Sequence, residues 1–215
     1  MNQDLATHFI SSFVTFFVLI DAIGVAPVFA ALTSQGSAAY RRSMAIKATI
    51  VAGLIIFSFA FGGAWLLSSM GISIDAFRAA GGALLFLIAL EMVFEKRTER
   101  RGSRAEEFMA VDDQPGDPDD ISVFPIGIPM VAGPGTIGMA MLSMSHAAGW
   151  SEKGVILAAL GSNLLIVLVI LLLAGPLMRA IGESVAGALT RILGVILAAL
   201  SVQLLIDGIK GAFSL

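Results

Sequence analysis

Pro125-Ile-Gly-Ile-Pro129-Met-Val-Ala-Gly133-Pro134-Gly135-Thr136 stands inside a run of 31 residues, Ile121 to Ser151, without a charged side chain. That exceeds the ~20 residues an α-helix needs to cross the hydrocarbon core of a bilayer. Its interior is nevertheless poor chemistry for an unbroken helix. Pro134 removes a backbone donor, Gly133 and Gly135 allow conformations closed to other residues, and Thr136 is a competent cap for a helix starting there. Unwound backbone at membrane depth survives only where protein buries it or where it lines a wet cavity. The stretch predicts a transmembrane helix broken near the midplane, its break turned inward. A kink that serves packing alone is the competing explanation.

The rest of the chain matches a membrane protein. Hydrophobic residues make up 57% of the 215 and charged ones 13%, against roughly a quarter charged in soluble domains. Of the 29 charged residues, 14 fall between Glu95 and Asp120. Two further charge-free runs, Ala48 to Ile74 (27 residues) and Gly154 to Met178 (25), are long enough to span. The pattern predicts six spans, at about 8–33, 46–70, 75–95, 121–146, 153–175 and 186–209. Residues 1–95 then form a first three-helix repeat and 121–215 a second. Between them, 96–120 is a solvated cytoplasmic linker, with five basic residues in Lys96 to Arg104 and seven acidic ones in Glu106 to Asp120.

These features exclude several classes. A net charge of −3 gives no basic face for nucleic acid. Without cysteine there is no disulfide framework or thiolate site. His8 and His146 are far apart, and no paired carboxylates or Ser-Lys or Ser-His arrangement marks an enzyme at membrane depth. No metal or other cofactor is expected. The first apolar stretch is long, is interrupted by Asp21, and has no Lys or Arg before it, so a cleaved secretory signal is not expected.

Charge asymmetry sets the expected orientation. With the N-terminus outside, 10 of the 13 Lys and Arg face the cytoplasm, and only Arg78, Lys153 and Lys210 do not. The positive-inside rule then places both termini outside the cytoplasmic (inner) membrane.

A faint repeat runs through the chain. Arg78-Ala-Ala-Gly81 with Leu84 and Leu87 recurs as Arg191-Ile-Leu-Gly194 with Leu197 and Leu200, an offset of 113. In nearly the same register, the segment Asp21 to Pro27 matches the one around Gly133 to Gly138. Two three-span halves must have opposite orientations, because three is odd. Inverted repeats with helices interrupted at corresponding positions are a transporter pattern, and the interruptions point to the binding site.

The first interruption reads Asp21-Ala22-Ile23-Gly24-Val25-Ala26-Pro27. A carboxylate at that depth costs at least ~2.5 kcal/mol, so Asp21 must face a cavity, a partner or a proton; it either handles substrate or protons directly or packs between helices to bond backbone groups freed by Pro27. Pro27 suits the first turn of a new half-helix beginning near Gly24 to Pro27. Helix N-termini at both breaks offer N–H groups and partial positive charge to a small anion such as a carboxylate. Elsewhere, Glu91 near the inner end of span three either snorkels or relays a proton. Asn163 in span five lines the cavity or bridges two helices. Gln203 and Asp207 lie toward a wet outer end. Gly53, Gly62, Gly63, Gly81, Gly82 and Gly194 read as close-packing positions between helices.

The stretch from Asp21 through Pro27 to Phe29 resembles the Asn/Asp-Pro-Ile-Gly-x-x-Pro-x-Phe signature of the MarC family of integral membrane proteins. Pro125 to Ile137 resembles its second signature, and Arg78-Ala-Ala-Gly81-Gly82-Ala-Leu84-Leu85-Phe86-Leu87 a third. The likeness covers the whole chain, the Gly-Pro-Gly block being its most specific part. One departure is Ala22, where the family usually has proline. The resemblance implies an architecture related to amino-acid exporters of the lysine-export superfamily, with members handling small neutral amino acids such as glycine and alanine.

The expected function is therefore alternating-access transport of a small zwitterionic solute of the glycine, alanine or serine type, coupled to protons through Asp21 and Glu91. Asp21, Ala22, Ile23, Gly24, Pro27, Gly133, Pro134, Gly135, Thr136 and Asn163 are the candidate binding residues. The solute's carboxylate would meet the half-helix N-termini and its ammonium Asp21 or freed carbonyls. The absence of Trp and Tyr near the breaks disfavours large cationic drugs. Cation transport and drug efflux are the alternatives. Beyond the lipid bilayer and the solute no partner is implied, and association into a homo-oligomer is left open.

Overall fold

Spans that face lipid on one side and protein on the other are apolar nearly all round, so their ends are set by caps and breaks rather than by amphipathic pattern. The computed structural model describes residues 2–94, 96, 100, 102–103 and 120–213, and all regular structure among them is helical. In chain order the elements are α1 (Asn2–Ile20), α2 (Ala22–Leu32), α3 (Ala38–Ser69), α4 (Ile74–Val93), α5 (Ser122–Val131), α6 (Pro134–His146), α7 (Trp150–Leu172) and α8 (Ala174–Phe213). Helices α1 and α2 together supply a span from Leu5 to Leu32, and α3, α4, α7 and the Ser184–Phe213 part of α8 supply four more. The sixth is the pair α5 and α6, bent by 58°.

Helix boundaries depart from the charge-based reading where a cap outweighs the charges. Helix α3 begins at Ala38 rather than near 46, because the Ser37 hydroxyl accepts the Tyr40 N–H and starts the helix among Arg41, Arg42 and Lys47. A run of charges ends a span without ending a helix. In α8 the backbone turns at Gly182 (φ 72°, ψ 164°), a conformation open in practice to glycine alone. This separates the 174–181 segment from the spanning part. Most of the linker expected at 96–120 lies outside the described residues.

The longest interface joins α4 to α8, antiparallel along their lengths. It depends on missing side chains. A Cβ on Gly82 would sit 2.6 Å from the Leu205 nitrogen, and one on Gly208 2.4 Å from that of Ala79. Gly194 meets Met92, and Gly63 meets Met141. These are the close approaches expected of small residues between membrane helices. Gly62 and Gly81 have nothing within 4 Å, so the expectation of close packing does not extend to them.

The other contacts pair off. Helix α1 packs on α7 as α5 does on α3; α2 packs on α8 as α6 does on α4; α3 also meets α7. Trp65 and Trp150, 74% and 79% exposed, lie at the end opposite the linker, where amphipathic indoles suit a membrane interface.

Candidate functional site

The first interruption is a single residue. Asp21 takes the left-handed conformation (φ 51°, ψ 55°) and is the one non-glycine residue with positive φ among those described. Aspartate tolerates this because its side chain can bond the backbone just ahead. Here Oδ1 accepts the Gly24 N–H at 3.2 Å and so caps α2. The main-chain ladder survives the turn: the Asp21 N–H donates to the Phe17 carbonyl, and the Asp21 carbonyl accepts from Val25, both at 3.1 Å. The half-helix thus starts at Ala22, not at Gly24 to Pro27. Pro27 lies inside α2, where it leaves the Ile23 carbonyl without its usual donor.

Asp21 is 1% exposed, and the Thr190 hydroxyl of α8 donates to its Oδ1 at 3.1 Å. Thr190 is not among the candidate residues of the sequence. The only signal for it was a lone hydroxyl between Leu189 and Arg191 on a span. Among the described residues no buried side-chain polar atom lacks a hydrogen-bond partner.

The second interruption is broader than Gly133 to Thr136. It begins at Phe124, and Phe124 and Ile128, each preceding a proline, are extended as that position favours. The Phe124–Pro125 and Ile128–Pro129 bonds are cis. Around each of these points the coil is wide: the N–H groups of Ile126 and Ala132 donate five residues back, to Ile121 (3.4 Å) and Gly127 (2.9 Å). Helix α6 then starts with Gly133 as its N-cap residue and Pro134 in its first turn, and no side chain caps it.

A cavity of about 330 Å³ lies at this second break. Gly133, Pro134, Gly135 and Thr136 line it, with Pro129 and Met130 from α5, Leu19 from the end of α1, and Leu84, Leu87, Ile88 and Glu91 from α4. Arg100 completes its rim and pairs with Glu91 at 2.7 Å. Four of the candidate binding residues and one candidate coupling residue therefore share one cavity. Asp21, Ala22, Ile23, Gly24 and Pro27 are not among its lining residues, and the first break reaches it only through Leu19.

Asn163 occupies the bridging geometry rather than the cavity. It is 2% exposed, and its Nδ2 donates to the Phe13 carbonyl of α1 at 3.1 Å and to the Ala159 carbonyl of its own helix at 2.9 Å. A second ion pair, Lys47 to Asp120 at 2.8 Å, ties α3 to the entrance of α5. Asp120 also accepts the Ser122 N–H at 2.9 Å and a bond from the Ser122 hydroxyl. Bonding to Lys47 first, then to Ser122, holds the Asp120 carboxyl at about 2, below its ordinary 3.8.

Comparison with known proteins gives a consistent family. A profile described as MarC family integral membrane protein matches residues 6–213. The chain is 37% identical over 205 residues to a UPF0056 membrane protein of Methanocaldococcus jannaschii, covering 95% of this chain and 97% of that one. It is 34% identical over 204 residues to another from Archaeoglobus fulgidus (94% and 92%), and 30% over 201 residues to the UPF0056 membrane protein YhcE of Escherichia coli (94% and 91%). No solved structure shows a significant match. With six apolar spans, two of them interrupted, and a match along nearly its whole length, this multi-pass chain belongs to the MarC family of integral membrane proteins.

Proposed function

We propose that this protein is a secondary transporter of small neutral amino acids, working by alternating access, and that the cavity at the second break is its solute site. One observation carries the reading: an uncapped helix N-terminus and a carboxylate, Glu91, line the same small cavity. The first turn of α6 offers N–H groups and partial positive charge to the solute's carboxylate. Glu91 offers an anion to its ammonium. A cavity of about 330 Å³ has room for a compact solute, and lies at the small end of the roughly 300 to 1,000 Å³ of ligand pockets.

The two N-termini differ in what they can take. At α2 the Gly24 N–H is already bonded to Asp21, so that helix end carries its own carboxylate. At α6 the position is left for a ligand. Asp21 then serves the turn, and proton coupling falls first to Glu91, whose pair with Arg100 would give way to the solute's ammonium. The reciprocal packing of α1, α2, α5 and α6 supports two inverted halves. The basic loops support a cytoplasmic linker, both termini outside, and residence in the inner membrane.

Purified protein in liposomes is the test. Counterflow of labelled glycine, alanine or serine supports the reading. Glu91→Gln should lower solute uptake about 10- to 100-fold, as loss of a charged hydrogen-bond partner does. Flux of a divalent cation without amino-acid counterflow would establish the alternative. That alternative is poorly served here, because Asp21 is bonded to Thr190 while Glu91 lines the cavity.

A further inference from the structure

Arg41 and Arg42 at the start of α3 and Arg179 in the 174–181 segment border a cavity of about 680 Å³, separate from the one at the second break. The rest of its lining is mixed, with Phe29, Leu171 and Thr33 buried and Leu172 43% exposed; Leu173, next in the chain, is 52% exposed. Other basic side chains near this end have acids: Lys47 pairs with Asp120 and Arg100 with Glu91. Arg41, Arg42 and Arg179 have no carboxylate partner among the described residues. Two are positioned by main-chain carbonyls instead. Arg41 donates to Gly36 at 2.8 Å, and Arg179 through Nε to Gly175 at 3.4 Å. Each guanidinium has five donors, so most of its hydrogen-bonding capacity remains for a ligand.

We propose that this cavity binds the phosphate of an anionic phospholipid headgroup. Three guanidiniums from two separate chain segments match a phosphate, which takes forked donors well. The same chemistry could be met by free phosphate. The lipid is favoured because Leu172, which lines the cavity with the three arginines, and Leu173 beside it in the chain are exposed, so apolar surface for acyl chains adjoins the guanidiniums. Basic pockets between transmembrane helices at the cytoplasmic surface bind such headgroups by this combination. A lipid there would tie the α2–α3 connection to the α7–α8 junction.

The test uses the full chain in a neutral detergent, titrated with phosphatidylglycerol, phosphatidylcholine or inorganic phosphate. Bound lipid is counted by native mass spectrometry, and thermal unfolding is followed in parallel. Phosphatidylglycerol should bind and raise Tm while phosphatidylcholine does not. Replacing one arginine by glutamine should weaken binding about 5-fold, and all three on the order of 100-fold. Arg78→Gln, whose arginine pairs with Asp75 elsewhere, should change nothing. If the triple variant fails to fold, the three single variants decide. Equal binding of phosphatidylglycerol by variants and wild type, or of both lipids by wild type, overturns the proposal. A Tm rise reproduced in full by inorganic phosphate overturns the lipid as the source.

Discussion

At Asp21 the chain breaks its helix with one side chain and closes the gap with the same side chain; at Gly133 it breaks the helix with backbone alone and leaves the new N-terminus uncapped. The first break is 1% exposed and holds a hydroxyl from α8, while the second opens onto a cavity. The 113-residue offset extends the contrast to the helices behind them. Leu84, beside the second break, is 43% exposed and lines the cavity, whereas its counterpart Leu197 is fully buried. Two segments of similar sequence register thus present one closed and one open face. The alternating access we propose requires that kind of inequality, with the two faces exchanging it in turn.

The largest effect should come from testing that exchange. The chain has no cysteine, so single replacements report without a background. Leu84→Cys should react with a water-soluble thiol reagent about 100-fold faster than Leu197→Cys, as expected if the state exposing Leu197 is populated near 1%. Saturating solute should narrow the gap. Equal rates throughout would mean that the two faces do not alternate.

Next comes the chemistry of each break. Asp21→Ala removes the cap and leaves Gly24 and Thr190 short of a buried acceptor, so unfolding in detergent should show a loss of about 2 kcal/mol. Asp21→Asn keeps an acceptor and tolerates the left-handed turn, and should stay close to wild type. If Asp21→Asn also transports with the wild-type response to an imposed pH gradient, Asp21 has no part in proton coupling. Pro134→Ala, at a break made of backbone, should cost less than about 1 kcal/mol.

The two breaks were unequally legible in sequence. Gly-Pro-Gly declares itself because each residue has one dominant conformational consequence, and the cavity lies there. The pair of Phe124-Pro125 and Ile128-Pro129 was in plain view, yet the charge-free run around it reads as helix until the pre-proline restriction is applied at both points. Asp21 was found from its depth, but its partner was not. Thr190 lies 169 residues away, and one sequence carries no information about which side chain meets another across that distance. The joining of Glu91 to Gly133–Thr136 was hidden for the same reason: α4 and α6 become neighbours only through tertiary packing. Span count followed from where the charges fall along the chain, since ~20 apolar residues in a row have few other places to go.

The smallest effect concerns how the second broken span is held at its entrance. The first is fixed at its break by a buried bond; the second is tied at its start by Lys47 and Asp120, whose side chains are 52% and 50% exposed. Asp120→Asn should therefore cost only a few tenths of a kcal/mol at pH 7, the range of exposed ion pairs. The folded carboxyl lies at about 2 and its ordinary value is 3.8. Its contribution is thus complete above the ordinary value and is lost as pH falls through the folded one. Wild type and Asp120→Asn should differ equally at pH 5 and pH 8 and converge toward pH 2. A difference that grows between pH 5 and pH 8 would mean that Asp120 is not held by Lys47 and Ser122, and that the second span is anchored elsewhere.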